Sequence, residues 1–285
     1  MKKKRYSLID IEKRLRDNDL PFSGVTALGS SQFTISQPAF HAGVAMHAAS
    51  RVRPELIDAL AVSPEDRYRE EDPYTDLFIQ DFPIQIKSMD SRFEYDVNRD
   101  FEHAIYDEHK KTWGLRIWRR ELTDEERKES LAKHQEFHDL MDIITDYLLR
   151  QNKYAVIFDI HSYCYQRERL NLWYEDEKPE INVGTKAVNR ARFGPLIDSF
   201  MNDLKIIDID NRSIRVLENA IFNGGFLSRR LSAEYYDHLL VLALEFKKIF
   251  MDEWSGKLYN EPFRKLIEGF RRAVEHLQAS EYFNA

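Results

Sequence analysis

Short apolar runs alternate along the chain with longer stretches in which apolar positions recur at helical spacing. In the run at 155–160 the residues directed to either face are apolar until Asp159. This pattern is typical of a central strand that is covered on both faces. The runs that predict strands are 32–36, 83–87, 92–97, 155–160, 214–217 and 239–244.

Helices are predicted between these runs. Thr123 and Glu126 form a capping-box pattern at the start of the longest helical stretch. Segments 189–204 and 263–277 are amphipathic, and segment 8–17 predicts a short N-terminal helix. Strands that alternate with helices favour a single α/β fold in which a mixed sheet lies between helical layers. We expect an N-terminal helical arm at 1–30 and one α/β domain at 31–285.

Composition narrows the class of protein. With 43% hydrophobic residues the chain can bury a core, and 32% charged residues predict a well-solvated surface. No run approaches the ~18–20 apolar residues of a spanning helix. A net charge of −7 argues against nucleic acid as the main partner. The single cysteine, Cys164, excludes an internal disulfide and favours a reducing cytoplasm. No membrane partner is expected.

The end of the run at 155–160 is the first candidate site. In open α/β sheets ligands bind at the carboxyl ends of strands. His161 could hold a metal there, and Asp159, two residues back on the same strand face, could orient its ring. A structural histidine capped by backbone groups is the alternative, and on this motif alone it is the more frequent one.

A second candidate is the run at 92–97 and the two residues after it. Alternation places Arg92, Glu94 and Asp96 on one face of the predicted strand. Asn98 and Arg99 follow at its end, where an amide and a guanidinium can bind a carboxylate. A surface strand with ion pairs explains the same pattern.

Three further features bear on chemistry. His41 stands beside small residues that allow close approach, whereas His47, six residues later, matches neither a helical pair nor a tight metal clip. Segment 70–76 is rich in carboxylates, which a solvated loop also explains. Glu245 follows the apolar run at 239–244, where a carboxylate is costly to bury unless it is paired or functional.

Other chemistries fit less well. The chain has no Gly-x-Ser-x-Gly elbow and no glycine pattern for a dinucleotide or a phosphate loop. Cys164 lies three residues from His161, so a strand would direct the two side chains to opposite faces. An inert thiol is therefore favoured over a thiol nucleophile.

Seven elements, taken in chain order, resemble those of the N-formylglutamate amidohydrolase family, which is related to zinc carboxypeptidases and aspartoacylases. Each element is weak alone, but their common order over about 41–252 is specific. They are His41-Ala42-Gly43, the run Ser91-Arg92-Phe93-Glu94-Tyr95-Asp96-Val97-Asn98-Arg99, Phe137-His138-Asp139, Asp159-Ile160-His161-Ser162, Asn182-Val183-Gly184-Thr185, Gly224-Gly225-Phe226-Leu227-Ser228-Arg229, and Leu244-Glu245 with Phe250-Met251-Asp252-Glu253.

The resemblance implies a zinc-carboxypeptidase-like (phosphorylase/hydrolase-like) fold with a largely parallel sheet, and one zinc ion. His41 and His161 would be ligands, together with a carboxylate. Carboxypeptidases and aspartoacylases place a Glu three residues after the first His, where this chain has Val44. The family's Asp-Thr-Asp-like stretch resembles 74–76, so Asp76 is preferred over Asp72 as the third ligand.

The resemblance also implies roles in hydrolysis. Glu245 would be the general base, and Arg92 would stabilise the oxyanion. The residues that would bind a substrate carboxylate or line its site are Asn98, Arg99, Arg229 and Thr185.

The implied reaction converts N-formylglutamate, a small molecule with carboxylates, to glutamate and formate. One alternative is a carboxypeptidase-like peptidase or amidase acting on a longer N-acyl or peptide substrate. Another is a metal-free protein that binds carboxylates on the same fold. Trp173 and Tyr174 are candidates for a wider pocket wall, and Trp113 and Trp118 for a lid.

Overall fold

The apolar runs of the sequence form the strands of a mixed sheet. The computed structural model describes residues 3–107, 112–166 and 177–284. The strands are β1 (Arg5–Tyr6), β2 (Phe22–Thr26), β3 (Ser31–Ile35), β4 (His41–Ala45), β5 (Ile84–Ser88), β6 (Ala155–Tyr163), β7 (Ile181–Gly184), β8 (Asp208–Ile209), β9 (Arg212–Ser213), β10 (Val216–Glu218) and β11 (Leu239–Lys247).

Within the described residues, nine strands form one sheet in the order β1-β2-β3-β5-β4-β6-β11-β7-β10, and β8 pairs with β9. The pairs β2–β3, β3–β5 and β7–β11 are antiparallel, and the other neighbours in the large sheet are parallel. The predicted fold class, a largely parallel mixed sheet with helices on both faces, is therefore confirmed.

Helices cover both faces of the sheet. The helices are α1 (Leu8–Arg16), α2 (Pro54–Ile57), α3 (Pro64–Glu70), α4 (Asp124–Gln151), α5 (Arg190–Leu204), α6 (Phe226–Glu234), α7 (Asn260–Gln278) and α8 (Glu281–Asn284). Single 3-10 turns lie at Thr75–Leu77 and Phe101–His103. The capping box at α4 is confirmed: the Thr123 side chain accepts from the Glu126 N–H, and the Glu126 carboxylate accepts from the Thr123 N–H.

Two cores lie on opposite faces of the sheet, because β6 and β11 are apolar at every position until they near their carboxyl ends. On one face Val156, Phe158 and Ile160 pack with α5 and α7. On the other face Ala155 and Ile157 pack with α1, α4 and α6. Fully burying one large apolar side chain stabilises the folded state by roughly 1.5–3 kcal/mol. Because side chains on both faces of β6 are buried, packing on both sides holds this strand in place.

The register of the central strands decides where polar residues at their ends lie. β4, β6 and β11 are parallel neighbours. His41 at the start of β4 pairs with Val156 near the start of β6, and His161 near the end of β6 pairs with Glu245 of β11. The carboxyl ends of these three strands therefore meet at one edge of the sheet.

The predicted strand at 92–97 is wrong. Residues 91–99 form turns and irregular backbone in which Phe93, Glu94, Tyr95 and Asp96 are all buried. Glu94, for example, accepts from the Arg53 guanidinium at 2.7 Å. The alternation of polar and apolar residues arises from a buried loop with internal ion pairs and not from a half-buried strand.

The first 30 residues, expected to form a helical arm, contain α1 as predicted. They also contribute β1 and β2 to the large sheet, where β2 pairs with β3. Across the described ranges, every helix is too short or too polar to cross a membrane.

Candidate metal centre and active-site pocket

Three buried side chains converge where β4 and β6 end. His47 lies two residues beyond β4, His161 near the end of β6, and Asp72 two residues beyond α3. The Nδ1 atoms of His47 and His161 lie 3.3 Å and 3.2 Å from Oδ2 of Asp72. The Asp72 backbone N–H donates to the His47 carbonyl at 2.9 Å, which ties the carboxylate to the strand end.

Each of these histidines has a second carboxylate at its other ring nitrogen. His47 Nε2 is 2.7 Å from Oδ1 of Asp96, and His161 Nε2 is 3.0 Å from Oδ1 of Asp159. Such outer carboxylates orient the imidazole of a metal ligand and fix its tautomer. The predicted position of Asp159 beside His161 is confirmed.

The electrostatics of the cluster favour a positive charge at its centre. Burial alone would raise the pKa of Asp72, but a hydrogen bond from His161 and the nearby ring of His47 outweigh it and hold that pKa well below its usual range. Burial would also lower the pKa of His161, yet the carboxylates of Asp159 and Asp72 raise it well above its usual value. A proton or a metal cation is therefore stabilised here.

The donor set fits a divalent metal of the zinc kind. Two imidazoles and one carboxylate form a ligand set that leaves a position open at catalytic zinc. Ligand atoms of a tetrahedral zinc are about 3.3–3.5 Å apart, given bonds of ~2.0–2.2 Å, and the two Nδ1 atoms show nearly this spacing from Asp72. The Nδ1 atom of His47 is buried without a hydrogen-bond partner. Among the described residues, His47, Asp72 and His161 form the one group of three potential metal ligands. Their ligand atoms all lie within 4.8 Å of one another.

A cavity of about 500 Å³ opens beside these three side chains. The other polar residues that line it include Glu70, Arg92, Asn98, Lys178, Arg229, Glu245 and Lys248. Its aromatic lining comes from Trp113, Tyr163 and Phe222. Trp118 lines a separate cavity of about 330 Å³ that contains none of the three potential ligands. Trp173 and Tyr174 lie outside the described residues.

Glu245 presents its carboxylate to the cavity next to His161, with which it is paired in the sheet. The Glu245 carboxylate forms no hydrogen bond or ion pair with any residue that the structure describes. Burial raises the pKa of Glu245 to about 7, with the charge of His161 opposing this effect and those of Asp72 and Asp159 adding to it. A carboxyl group with such a pKa can take up and release a proton at neutral pH.

Arg92 reaches the cavity from the loop at 91–99. Its Nη2 donates to Oδ2 of Asp96 at 2.8 Å, and its Nε donates to the Tyr106 hydroxyl at 3.1 Å. The guanidinium also lies over the Trp113 ring, 4.9 Å from its centroid. The cation is thus held in one orientation, as a group that stabilises developing negative charge requires.

Asn98 and Arg229 line the cavity from two sides of the turn before α6. The Asn98 Oδ1 accepts from the Leu227 N–H at 3.3 Å. A Cβ atom at Gly225 would lie 2.1 Å from the Asn98 amide, so only glycine admits this contact. Arg229 is exposed, and its Nη1 donates to the Gly224 carbonyl at 2.8 Å.

Arg99 and Thr185, predicted to contact substrate, do not line the cavity. The Arg99 guanidinium lies over the Tyr106 ring, 4.5 Å from its centroid, and its Nε is 3.8 Å from Asp96. Thr185 is buried, its hydroxyl donates to Glu218, and its N–H donates to Asn219. Both side chains instead hold neighbouring segments of the chain.

The placement expected for His41 is wrong. His41 pairs with Val156, five residues before His161, which puts the two histidines about 16 Å apart along the sheet. Its ring packs against Phe82 and Phe158, and its Nε2 is 3.0 Å from the Gln278 amide. The reason is that β4 begins at His41 and does not end there.

Asp76 is also absent from the cluster, where Asp72, the alternative, takes the place of the carboxylate. Asp76 forms an ion pair with Lys87 at 2.9 Å. His47 was set aside because its spacing from His41 suits no metal clip. The signal that identifies it is its position just after an apolar strand, the same signal that identified His161.

A model of the N-formylglutamate amidohydrolase family matches residues 44–251, well over half of the chain. The chain belongs to this family. The match includes His47, Asp72, His161 and Glu245, and it begins after His41. Membership assigns the chain to a family of amide-hydrolysing enzymes.

Two solved structures have folds similar to that of this chain. An N-formylglutamate amidohydrolase from Ralstonia eutropha JMP134 has a TM-score of 0.69 at 14% identity, with 88% of this chain and 98% of that chain covered. A gene product of Agrobacterium tumefaciens has a TM-score of 0.60 at 19% identity, with 92% and 98% covered. No curated protein matches the sequence. At these identities the likeness establishes the fold.

The placement of the two histidines predicts different outcomes when each is replaced. We expect His47→Ala to abolish tight binding of zinc, because it removes one of three converging ligands. We expect His41→Phe to bind as much zinc as the wild type, because His41 lies at the other end of β4. Elemental analysis of dialysed proteins measures both. Loss of zinc from the His41 variant would contradict the assignment.

A second prediction concerns acid stability. Burial lowers the pKa of His41 to about 4 from about 6.5. Between these values the unfolded chain binds a proton that the folded chain does not, so folding stability falls as pH drops from 6.5 to 4. The contribution amounts to about 3 kcal/mol. Urea denaturation should show a flatter pH dependence in His41→Phe over this range. An unchanged slope would show that His41 is protonated in the folded protein.

Proposed function

We propose that this protein is a zinc-dependent amidohydrolase that cleaves the amide of an N-formyl or N-acyl amino acid, with N-formylglutamate as the first candidate. The observation that carries the proposal is the convergence of His47, Asp72 and His161 beside Glu245 in one cavity. Membership of the family supports hydrolysis of an amide. The similar structure from Ralstonia eutropha, an N-formylglutamate amidohydrolase, supports the choice of substrate.

His47, Asp72 and His161 would hold one zinc ion, and Asp96 and Asp159 would orient the two rings. When bound, such an ion lowers the pKa of water and polarises a carbonyl group. A set of nitrogen and carboxylate ligands, without cysteine, is typical of catalytic zinc. Cys164 is buried, and its sulfur donates to the Arg69 carbonyl at 3.1 Å.

Glu245 is the proposed general base. Hydrolysis breaks the C–N bond and moves one proton from water to the leaving nitrogen, so a group must accept and then release it. Among the carboxylates of the cavity, Glu70 pairs with Arg69 and Asp72 with the two histidines. Glu245 has no such partner among the described residues, and it lies beside His161.

Arg92 would stabilise the oxyanion on the attacked carbonyl, and Asn98 and Arg229 would bind a carboxylate of the substrate. The cavity is lined by four cations, Arg92, Lys178, Arg229 and Lys248, and by three carboxylates, Glu70, Asp72 and Glu245, whereas the whole chain has a net charge of −7. This local excess of cations favours an anionic small molecule over nucleic acid or a membrane as partner. The single reduced cysteine supports a cytoplasmic location.

A longer N-acyl or peptide substrate is the second candidate. Trp113, Tyr163 and Phe222 line the cavity in addition to the polar groups. Side chains of this size supply apolar contact area that a formyl group does not need. They would suit an acyl group with an apolar body.

The substrate is tested by assaying zinc-loaded protein on N-formyl, N-acetyl and longer N-acyl amino acids and on dipeptides. We expect the highest kcat/KM for N-formylglutamate and loss of activity after treatment with a chelator. Preference for long acyl groups or peptides would favour the second candidate. A protein that binds carboxylates but takes up no metal would overturn the proposal in favour of a metal-free binding protein.

The role of Glu245 predicts the effect of an isosteric change. We expect Glu245→Gln to lower kcat by about 10²–10⁴-fold and to leave zinc content near one ion per chain. Glu261→Gln, on the exposed start of α7, is the matched control and should retain activity. If Glu245→Gln kept wild-type kcat, the proton would have to move through another group.

A further inference from the structure

Asp96 is a fully buried carboxylate that contacts both halves of the site. Its Oδ1 lies 2.7 Å from Nε2 of His47 and accepts from the Asn98 N–H at 2.8 Å. Its Oδ2 accepts from Nη2 of Arg92 at 2.8 Å and from the Tyr106 hydroxyl. A carboxylate offers about four lone-pair sites, so all the acceptor capacity of Asp96 is used.

The contact with Oδ1 determines the tautomer of His47. Asp96 accepts from the Arg92 guanidinium, the Tyr106 hydroxyl and the Asn98 N–H, as an ionised carboxylate does. An ionised carboxylate only accepts, so Nε2 of His47 must carry the hydrogen. The lone pair of a neutral His47 ring is then on Nδ1, the buried atom that faces Asp72 without a hydrogen bond.

The contacts with Oδ2 determine the position of Arg92. The Tyr106 hydroxyl donates to Asp96 and accepts from Nε of Arg92, so the three groups form a closed set of hydrogen bonds. The guanidinium can therefore move only if the contacts of Asp96 change. The other oxygen of the same carboxylate holds His47. Asp96 therefore fixes the positions of His47 and Arg92 relative to each other.

We propose that Asp96 is the positioning residue that couples His47, a metal ligand, to Arg92, the oxyanion-stabilising cation. The inference rests on the proposed function, and it adds a constraint that the ligand set alone does not contain. Asp159 provides a natural comparison. Its carboxylate lies 3.0 Å from Nε2 of His161 but accepts no hydrogen bond from any described residue, and Arg92 forms its ion pair with Asp96.

The test compares three variants with the wild type: Asp96→Asn, Asp159→Asn and Tyr106→Phe. Zinc dissociation constants are measured by competition with a chromogenic chelator, and kcat and KM are measured at saturating zinc on the best substrate of the panel. Circular dichroism and thermal melting of the zinc-free proteins verify that each variant folds.

We expect Asp96→Asn and Asp159→Asn each to weaken zinc binding by about 10–100-fold. At saturating zinc, Asp96→Asn should still have a kcat/KM lowered by about 10²–10³-fold, the size of a lost oxyanion contact, whereas Asp159→Asn should lose at least tenfold less. Tyr106→Phe should keep near wild-type zinc affinity and lose kcat/KM by at least about tenfold. This separation of metal affinity from catalysis is not expected of a residue that only stabilises the fold.

Two results would overturn the coupling while leaving the proposed function intact. One is an Asp96→Asn protein with wild-type zinc affinity. The other is an Asp96→Asn protein that is no worse than Asp159→Asn at saturating zinc. If Asp96→Asn does not fold, Tyr106→Phe decides, and unchanged kcat/KM in that variant overturns the role of Asp96 toward Arg92. A wild type that binds no zinc would overturn both proposals together.

Discussion

Parallel pairing of β4, β6 and β11 is the constraint on which the rest of the site depends. In this register His161 and Glu245 are neighbours across two strands, and the chain leaves β4 toward His47 at the same edge. A slip of one residue would turn Asp159 and His161 to the opposite face and the apolar residues with them. Since both faces of β6 are buried in packed cores, such a slip would bury Asp159 and His161 among the apolar side chains of the other core and disrupt the packing of both cores. The same apolar contacts that stabilise the sheet thus hold the site residues in place.

The second constraint is the burial of charge. Asp72, Asp96 and Asp159 are all nearly inaccessible to solvent, and an isolated carboxylate in such a place would be expensive. Two imidazoles and the Arg92 guanidinium offset that cost, and a divalent cation bound between Asp72 and the two rings would offset more of it. A cation that binds the folded protein and not the unfolded chain increases the free energy of unfolding. Folding and the proposed binding of an ion would therefore depend on the same contacts of this cluster.

How far the sequence predicts this arrangement depends on how local each signal is. The capping box at Thr123 and the apolar runs of β6 and β11 are local patterns, and the structure confirms the helix start and both strands. The spacing of His47 from His41 matches no metal motif, and its place after a strand is hard to recognise because β4 contains the small residues Ala42, Gly43 and Ala45. The loop at 91–99 resembles a strand in its sequence, but its polar residues alternate because they have partners distant in sequence, such as Arg53 and His47. The sequence pattern does not distinguish these tertiary contacts from the two faces of a strand.

The distribution of charge within the cavity favours one orientation of the proposed substrate. Carboxylates surround the two histidines at one end, so a cation and then the oxygen of a carbonyl group are favoured there. Asn98 and Arg229 contact the first residues of α6 and the turn before it, and an anion is favoured beside them instead. An N-acyl amino acid has a carbonyl and a carboxylate on opposite sides of its amide nitrogen, so the carbonyl would lie near the two histidines and the carboxylate near Asn98 and Arg229. Because Asp96 holds both Arg92 and His47, the oxyanion-stabilising cation would keep a fixed position relative to the ligand set.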